Sequence, residues 1–220
     1  MRRLSSAPAS GTAERPTAER GATAERILAA GEELFCQRGF GAVSVRDIAE
    51  RAGVQKALVF YHYGNKDALF ARVLEGYYRA HTEALSRAFA AEGTRRERFH
   101  RLIDAYLDFI AGHVRYAVLV QRAVAEPEAH PFIGENLAPL FEWIAGALRE
   151  VVPSTGPLAA HHFFVTFSGL VINYFTYAPL LRAAGIEHVD RDPASPEALA
   201  ERKAHVHWVV DVLLDRLEAG

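Results

Sequence analysis

From Ser44 to Phe70 the chain reads SVRDIAERAGVQKALVFYHYGNKDALF, two short helical periods on either side of a glycine turn, then the start of a third. Ser44 suits a helix N-cap with Asp47 three residues on, and Val45, Ile48, Ala49 and Ala52 make one apolar stripe ending at Gly53. Gly53-Val54-Gln55 leads into Lys56 to Tyr63, and Gly64-Asn65 ends that helix before Lys66 opens a long one. Two such short helices around so tight a turn form a helix-turn-helix arrangement.

The rest of the chain also has helical periods only. A first helix is predicted over about 24 to 38, with Ile27, Ala30, Leu34 and Phe35 on one face, and the next two over about 45 to 52 and 56 to 63. Six more follow over about 66 to 91, 94 to 111, 114 to 126, 135 to 151, 157 to 182 and 196 to 218, giving an all-α fold. Residues 1 to 21 are expected to be a disordered tail, poor in large apolar side chains. TAER tetrapeptides at Thr12, Thr17 and Thr23 read as low complexity, the third opening helix 1, with a basic arm entering a DNA minor groove as the alternative. A head over 22 to 66 then continues through helix 4 into a larger domain over 67 to 220.

Charge narrows the function. The formal net charge of −2 argues against a protein that coats nucleic acid through bulk positive charge. Residues 21 to 75 balance to about zero, so DNA binding would depend on placed side chains and helix ends. Cys36, the single cysteine, excludes an internal disulfide and fits a reducing compartment, and the start of the chain lacks the apolar stretch of a secretory signal. A cytoplasmic location without a membrane segment is expected. The longest apolar run, Phe163 to Tyr177, is shorter than a membrane span and carries Thr166, Ser168, Asn173 and Thr176.

Helix 3 is short enough for a major groove, whose base edges meet the N-terminal residues of such a helix. Gln55, Lys56 and Ala57 stand there: Gln can pair with adenine, Lys can reach guanine or phosphate, and Ala lets the backbone approach. Tyr61 and His62 suit phosphate oxygens, Lys66 starts a helix whose dipole favours an anion, and Ser44 can offer phosphate its hydroxyl. The competing reading makes Val54, Leu58, Val59 and Tyr63 the core of a hairpin that merely caps a bundle.

The stretch ILAAGEELFCQRGFGAVSVRDIAERAGVQKALVFYHYGNKDALFARVL, Ile27 to Leu74, resembles the N-terminal domain of the tetracycline-repressor (TetR) family. The resemblance implies a recognition role for helix 3, with backbone contacts from the Tyr-His pair and from the lysine opening helix 4. These roles fall on Gln55, Lys56, Ala57, Tyr61, His62 and Lys66, with Ser44 at the start of helix 2. It further implies that the remainder is a helical ligand-binding and dimerisation domain. Gln55 stands where the family usually has Ser or Thr, Phe60 where a second tyrosine is common, and Tyr63 where phenylalanine is usual.

In the larger domain helix 8 is apolar on more than one face, so it needs cover on both sides. A homodimer through helices 8 and 9 would supply it, using Phe163, Phe167, Leu170, Tyr174, Val206, Val210, Leu213 and Leu217. Two recognition helices about 34 Å apart would then meet a near-palindromic double-stranded DNA operator. Candidate ligand-pocket residues are Tyr77, Tyr106, Phe109, His113, Tyr116, Phe141, Trp143, His162, Asn173 and Tyr177, suiting a small, mainly apolar effector. No cofactor and no metal site is expected, since His161-His162 and His205/His207 lack ligand spacing. Nor does any nucleophile motif or phosphate loop point to an enzyme. The expectation is a ligand-released repressor, with an activator or a ligand-independent regulator as the alternative and a helical carrier or enzyme as the rival class.

Overall fold

The computed structural model describes residues 15–149, 152–157, 159–186 and 191–218. Its elements are α1 (Arg15–Arg38), α2 (Val45–Ala52), α3 (Lys56–Tyr63), α4 (Lys66–Ala90), α5 (Arg95–Gly112), α6 (Val114–Ala125), a 3-10 turn (Pro127–Ala129), α7 (His130–Leu148), α8 (Ala160–Ala183) and α9 (Pro196–Glu218). Among the described residues there is no strand. The expected helix-turn-helix is present. Ser44 and Asp47 form a reciprocal capping box at α2, and Gly53 ends that helix in the left-handed conformation at φ 65°.

Two helix starts differ most from the sequence reading. The first helix starts at Arg15 and not near residue 24, because the tail's TAER repeats, read as low complexity, are also Ala-, Glu- and Arg-rich helix formers. Residues 1–14, including most of the first repeat, lie outside the described residues. The seventh helix starts at His130 and not near 135, with Pro131 in its first turn, where a missing N–H costs nothing.

The head is built on Ile27, Leu34, Phe35, Ile48, Val59 and Leu69, all buried. Specific bonds hold its helices in place: Arg51 of α2 pairs with both carboxylate oxygens of Glu33 on α1, and the Tyr63 hydroxyl donates to the Ala24 carbonyl at 2.9 Å. The bundle packs α4 against α5 and α7, and α8 against α5, α6 and α7. On the far side α9 lies along α5, tied by Arg96–Asp211 at 2.7 Å and Lys203–Asp108 at 2.6 Å. At 24 residues α8 is long and apolar enough to cross a membrane, which the shorter run read from the sequence did not suggest. It packs within the bundle, with Phe163, Val171 and Phe175 buried and Asn173 accepting a 2.7 Å hydrogen bond from Gln121.

Head and bundle share a core where α7 begins. Phe132 packs on Phe40 and Phe70 at ring separations of 5.4 and 5.8 Å, and Phe35 stands edge-on to Phe70 at 5.0 Å. Beside them the Glu126 carboxylate accepts the Gly41 amide at 3.0 Å, and Gly39 turns at φ 82° against the same carboxylate. A Cβ at residue 39 would sit 1.9 Å from Glu126 Oε1. Gly39→Ala should therefore lower stability by about 2 kcal/mol, from left-handed strain plus the displaced carboxylate, as read by urea unfolding. An unchanged midpoint would contradict this account of the joint.

Candidate functional site

The outer face of the head gathers most of the residues selected from the sequence. Gln55, Lys56, Ala57 and Tyr61 are exposed, His62 is half-buried behind Tyr61, and Val59 faces inward. Leu58 and Phe60 are also exposed, at 38% and 44%, so Leu58 does not join the core that the competing hairpin reading gave it. The Lys56 ammonium lies over the Phe60 ring at 5.5 Å, which places a cation at the start of this face. Gln55 occupies the N-cap position of α3 but makes no side-chain capping bond.

Two of the selected groups are engaged within the protein. Ser44 is exposed, yet its hydroxyl hydrogen-bonds the Asp47 carboxylate inside the capping box. Those bonds hold the Asp47 carboxyl below its usual range. Lys66 donates to the Phe40 carbonyl at 2.9 Å and lies over the Phe40 ring at 4.2 Å, so it braces the α1–α2 turn. An ammonium has three donors, and this leaves others for an anion outside.

Behind the head, α4 to α8 enclose a cavity of about 320 Å³. Of the ten pocket candidates, Tyr106 and Tyr116 line it. Phe141 stands behind the lining residue Phe164, edge-on at 5.3 Å. Tyr77, Phe109 and His113 form an aromatic stack around Tyr116: Tyr77 and Tyr116 rings are 5.0 Å apart, and Phe109 and His113 are 4.3 Å apart. The Tyr77 hydroxyl donates to Glu32 of α1 at 2.7 Å, so Tyr77 is turned to the head and not to the cavity.

The other four candidates are placed elsewhere. Trp143 packs edge-on to Phe89, His162 is exposed, and Asn173 and Tyr177 border a separate groove between α8 and α9. The sequence reading missed most of the wall: Tyr78, His81 and Leu85 of α4, Ile133, Leu137, Leu140 and Ile144 of α7, and Ser168 and Ile172 of α8. Its bias towards aromatic residues is the reason. The helical spacing of the α7 set was the available signal.

Several interface assignments also need correction. Phe163, Val206 and Val210 are buried within the chain, and Phe167, Leu170, Tyr174 and Leu213 are half-buried. Leu217 has its side chain outside the described residues. The apolar side chains that α8 and α9 do expose are Val165, Tyr177, Leu180, Leu181, Trp208 and Val212. Periodicity identifies apolar faces on a helix, but packing within the chain decides which one is left over. Elsewhere, burial raises the Cys36 thiol to about 11, so it stays protonated and unreactive near neutrality.

His81 is 2% exposed, and its pKa is lowered to about 3 by burial first and the nearby His113 second. Tyr106 and Phe109 of α5 and Tyr116 of α6 surround its ring, and no carboxylate lines the cavity to favour protonation. The unfolded chain takes up this proton near pH 6.5, while the folded chain resists until about pH 3. Stability should thus be complete above about pH 6.5 and fall as the pH drops, by up to about 1.4 kcal/mol per pH unit from this residue. Urea titrations of wild type and His81→Phe between pH 7 and 4 check this, and the variant should show the shallower slope.

Residues 27–73 match the family model for bacterial regulatory proteins of the tetR family. The HTH-type transcriptional repressor Rv3405c of Mycobacterium tuberculosis is 31% identical over 86% of this chain and 91% of its own length. The HTH-type transcriptional activator FasR of Mycolicibacterium smegmatis is 26% identical over 66% of each chain. Among solved structures, the transcriptional regulator FadR from Bacillus subtilis in complex with stearoyl-CoA superposes with a TM-score of 0.63 at 17% identity, covering 82% of this chain and 95% of its own. With a family model seated on the helix-turn-helix head and a relative matching through head and bundle alike, the chain belongs to the tetR family of bacterial regulatory proteins, DNA-binding regulators of transcription.

Proposed function

We propose that this chain represses transcription as a homodimer on a near-palindromic operator, and that a small, mainly apolar ligand entering the α4–α8 cavity releases it. One observation carries the reading. Ile133 and Leu137 line the cavity, and their neighbour Phe132 packs against Phe40 and Phe70 under the head. A ligand that shifts the start of α7 therefore acts on the core that sets the orientation of α1 to α3. A coupling of about 1 to 3 kcal/mol is sufficient to release DNA over a useful range of ligand concentration. Rv3405c, similar to this chain over most of both lengths, is a repressor, which favours repression over the activation attributed to FasR. The complex of FadR with stearoyl-CoA supports a ligand-holding role for the bundle of this fold.

In this reading the head over 22 to 66 contacts DNA and the bundle over 67 to 220 senses the ligand and dimerises, in the cytoplasm and without catalysis. Residues 15 to 21, the described end of the tail, extend α1. Gln55, Lys56 and Ala57 meet base edges, while Tyr61, His62, Lys66 and the α2 start at Ser44 meet phosphates. The second subunit covers the exposed apolar side chains of α8 and α9, where Trp208 and Val212 are four residues apart on one face.

Gel-shift titration on the DNA upstream of the protein's own gene tests the core of the proposal, and no binding to any such fragment at low salt would sink it. Lys66→Ala should weaken binding to all sequences alike and lower the salt slope by about one, whereas Gln55→Ala should change sequence preference. Equal preference in the Gln55 variant would remove its reader role. For the dimer, a Trp208→Glu/Val212→Glu double variant should sediment as a monomer with unchanged helicity and bind operator at least tenfold more weakly, the like charges meeting across the twofold axis. A variant still dimeric at micromolar concentration would place the interface elsewhere.

A further inference from the structure

His81 belongs to the cavity wall, and one of its ring nitrogens has no partner within the protein. His81 is the one polar residue in the buried core among the described residues, its ring stacked on Phe109 at 4.7 Å and 7° and tilted beside Tyr106 at 4.7 Å. Its Nδ1 lies 3.5 Å from the Tyr116 hydroxyl, long for a hydrogen bond, and that hydroxyl also has Tyr78 as a partner. The other ring nitrogen, Nε2, is buried without a hydrogen-bond partner. An unpaired nitrogen at such a position opposes folding and is uncommon in native cores, unless it serves something that arrives later.

Resting on the reading of this cavity as the effector site, we propose that His81 Nε2 is its specificity-determining contact and that the effector is an uncharged apolar molecule carrying one hydroxyl. The lining supplies the argument. It holds tyrosine and serine hydroxyls and this imidazole, but no Lys, Arg, Asp or Glu, so a carboxylate, phosphate or ammonium would be buried without a counter-ion. In this proposal the ring proton lies on Nδ1, so that Nε2 accepts from a hydroxyl and has no proton to offer a carbonyl or ether. A hydroxyl pairs with that nitrogen in either tautomer, since it both donates and accepts.

Size and access agree with this chemistry. The main chamber of about 320 Å³ corresponds to about ten heavy atoms, at the ~30 Å³ a water molecule occupies in the liquid. A smaller apolar lobe of about 50 Å³ adjoins it at Tyr106, Phe164 and Ser168, with room to extend a chain. Val124 and Val165, exposed at 59% and 68% yet part of the lining, mark an apolar mouth.

Decanol, its methyl ether and decanoate present the same chain with three head groups, and calorimetric titration into the full-length protein at pH 8 tests the assignment. Wild type should bind decanol roughly tenfold more tightly than the ether, the worth of one well-made buried hydrogen bond, and decanoate more weakly still. His81→Phe keeps the stack on Phe109 and should bring decanol down to the affinity of the ether, leaving the ether unchanged. A second measurement needs no variant: decanol and not the ether should move the Nε2 nitrogen resonance of His81 in the wild-type protein. Equal affinity for decanol and ether, or tightest binding of decanoate, would overturn the hydroxyl assignment while leaving the effector site in place. Binding of none of the three would overturn the effector site as well.

Discussion

The packing of Phe132 into the group formed by Phe35, Phe40 and Phe70 constrains the rest of the molecule, because it makes one core out of residues from α1, α4, α7 and the α1–α2 turn. A helix-turn-helix of this size buries too little apolar surface to hold a fixed orientation by itself. Here its first turn is fastened by Glu126 below and by Lys66 from the side. Protein interiors are close-packed, so such a junction transmits a shift instead of absorbing it. The aromatic layer of Tyr77, Tyr116 and Phe109 runs parallel to it, from cavity wall to the Glu32 carboxylate on α1.

Much of the head was legible in the sequence because its signals are local. A serine three residues before an aspartate, and a glycine where a helix must stop, dictate backbone conformation within one turn, and both behave as their chemistry requires. The start of α1 was not legible in the same way, since Ala, Glu and Arg serve equally in solvated tails and in helices. For α8 and α9, the pattern announced more apolar surface than one neighbour could cover without saying which side the chain itself would take. The cavity depended on the same missing knowledge. Its walls are largely Leu, Ile and Val, residues that any core uses, and only the arrangement of five helices distinguishes a wall from a filled interior.

Lys66 illustrates how a residue assigned to one task acquires two. Selected for its position at a helix start, it holds the Phe40 carbonyl and covers the Phe40 ring. Its charge is thus fixed in place before any anion approaches, so little side-chain freedom remains to be lost on contact. In a region with about zero net charge, the proposed DNA contact would draw on a cation held this way in place of the general attraction that a cationic surface would exert.

The uncapped start of α3 has a consequence for how recognition and order are linked. A serine or threonine at that position would fold back onto its own helix and satisfy one of the first amides, closing the turn whether or not anything lay opposite. Gln55 does not fold back, so the turn keeps unanswered N–H groups and an unoccupied carboxamide side by side. In the free protein both are left to water, and acceptors on an opposing surface would take the place of that water.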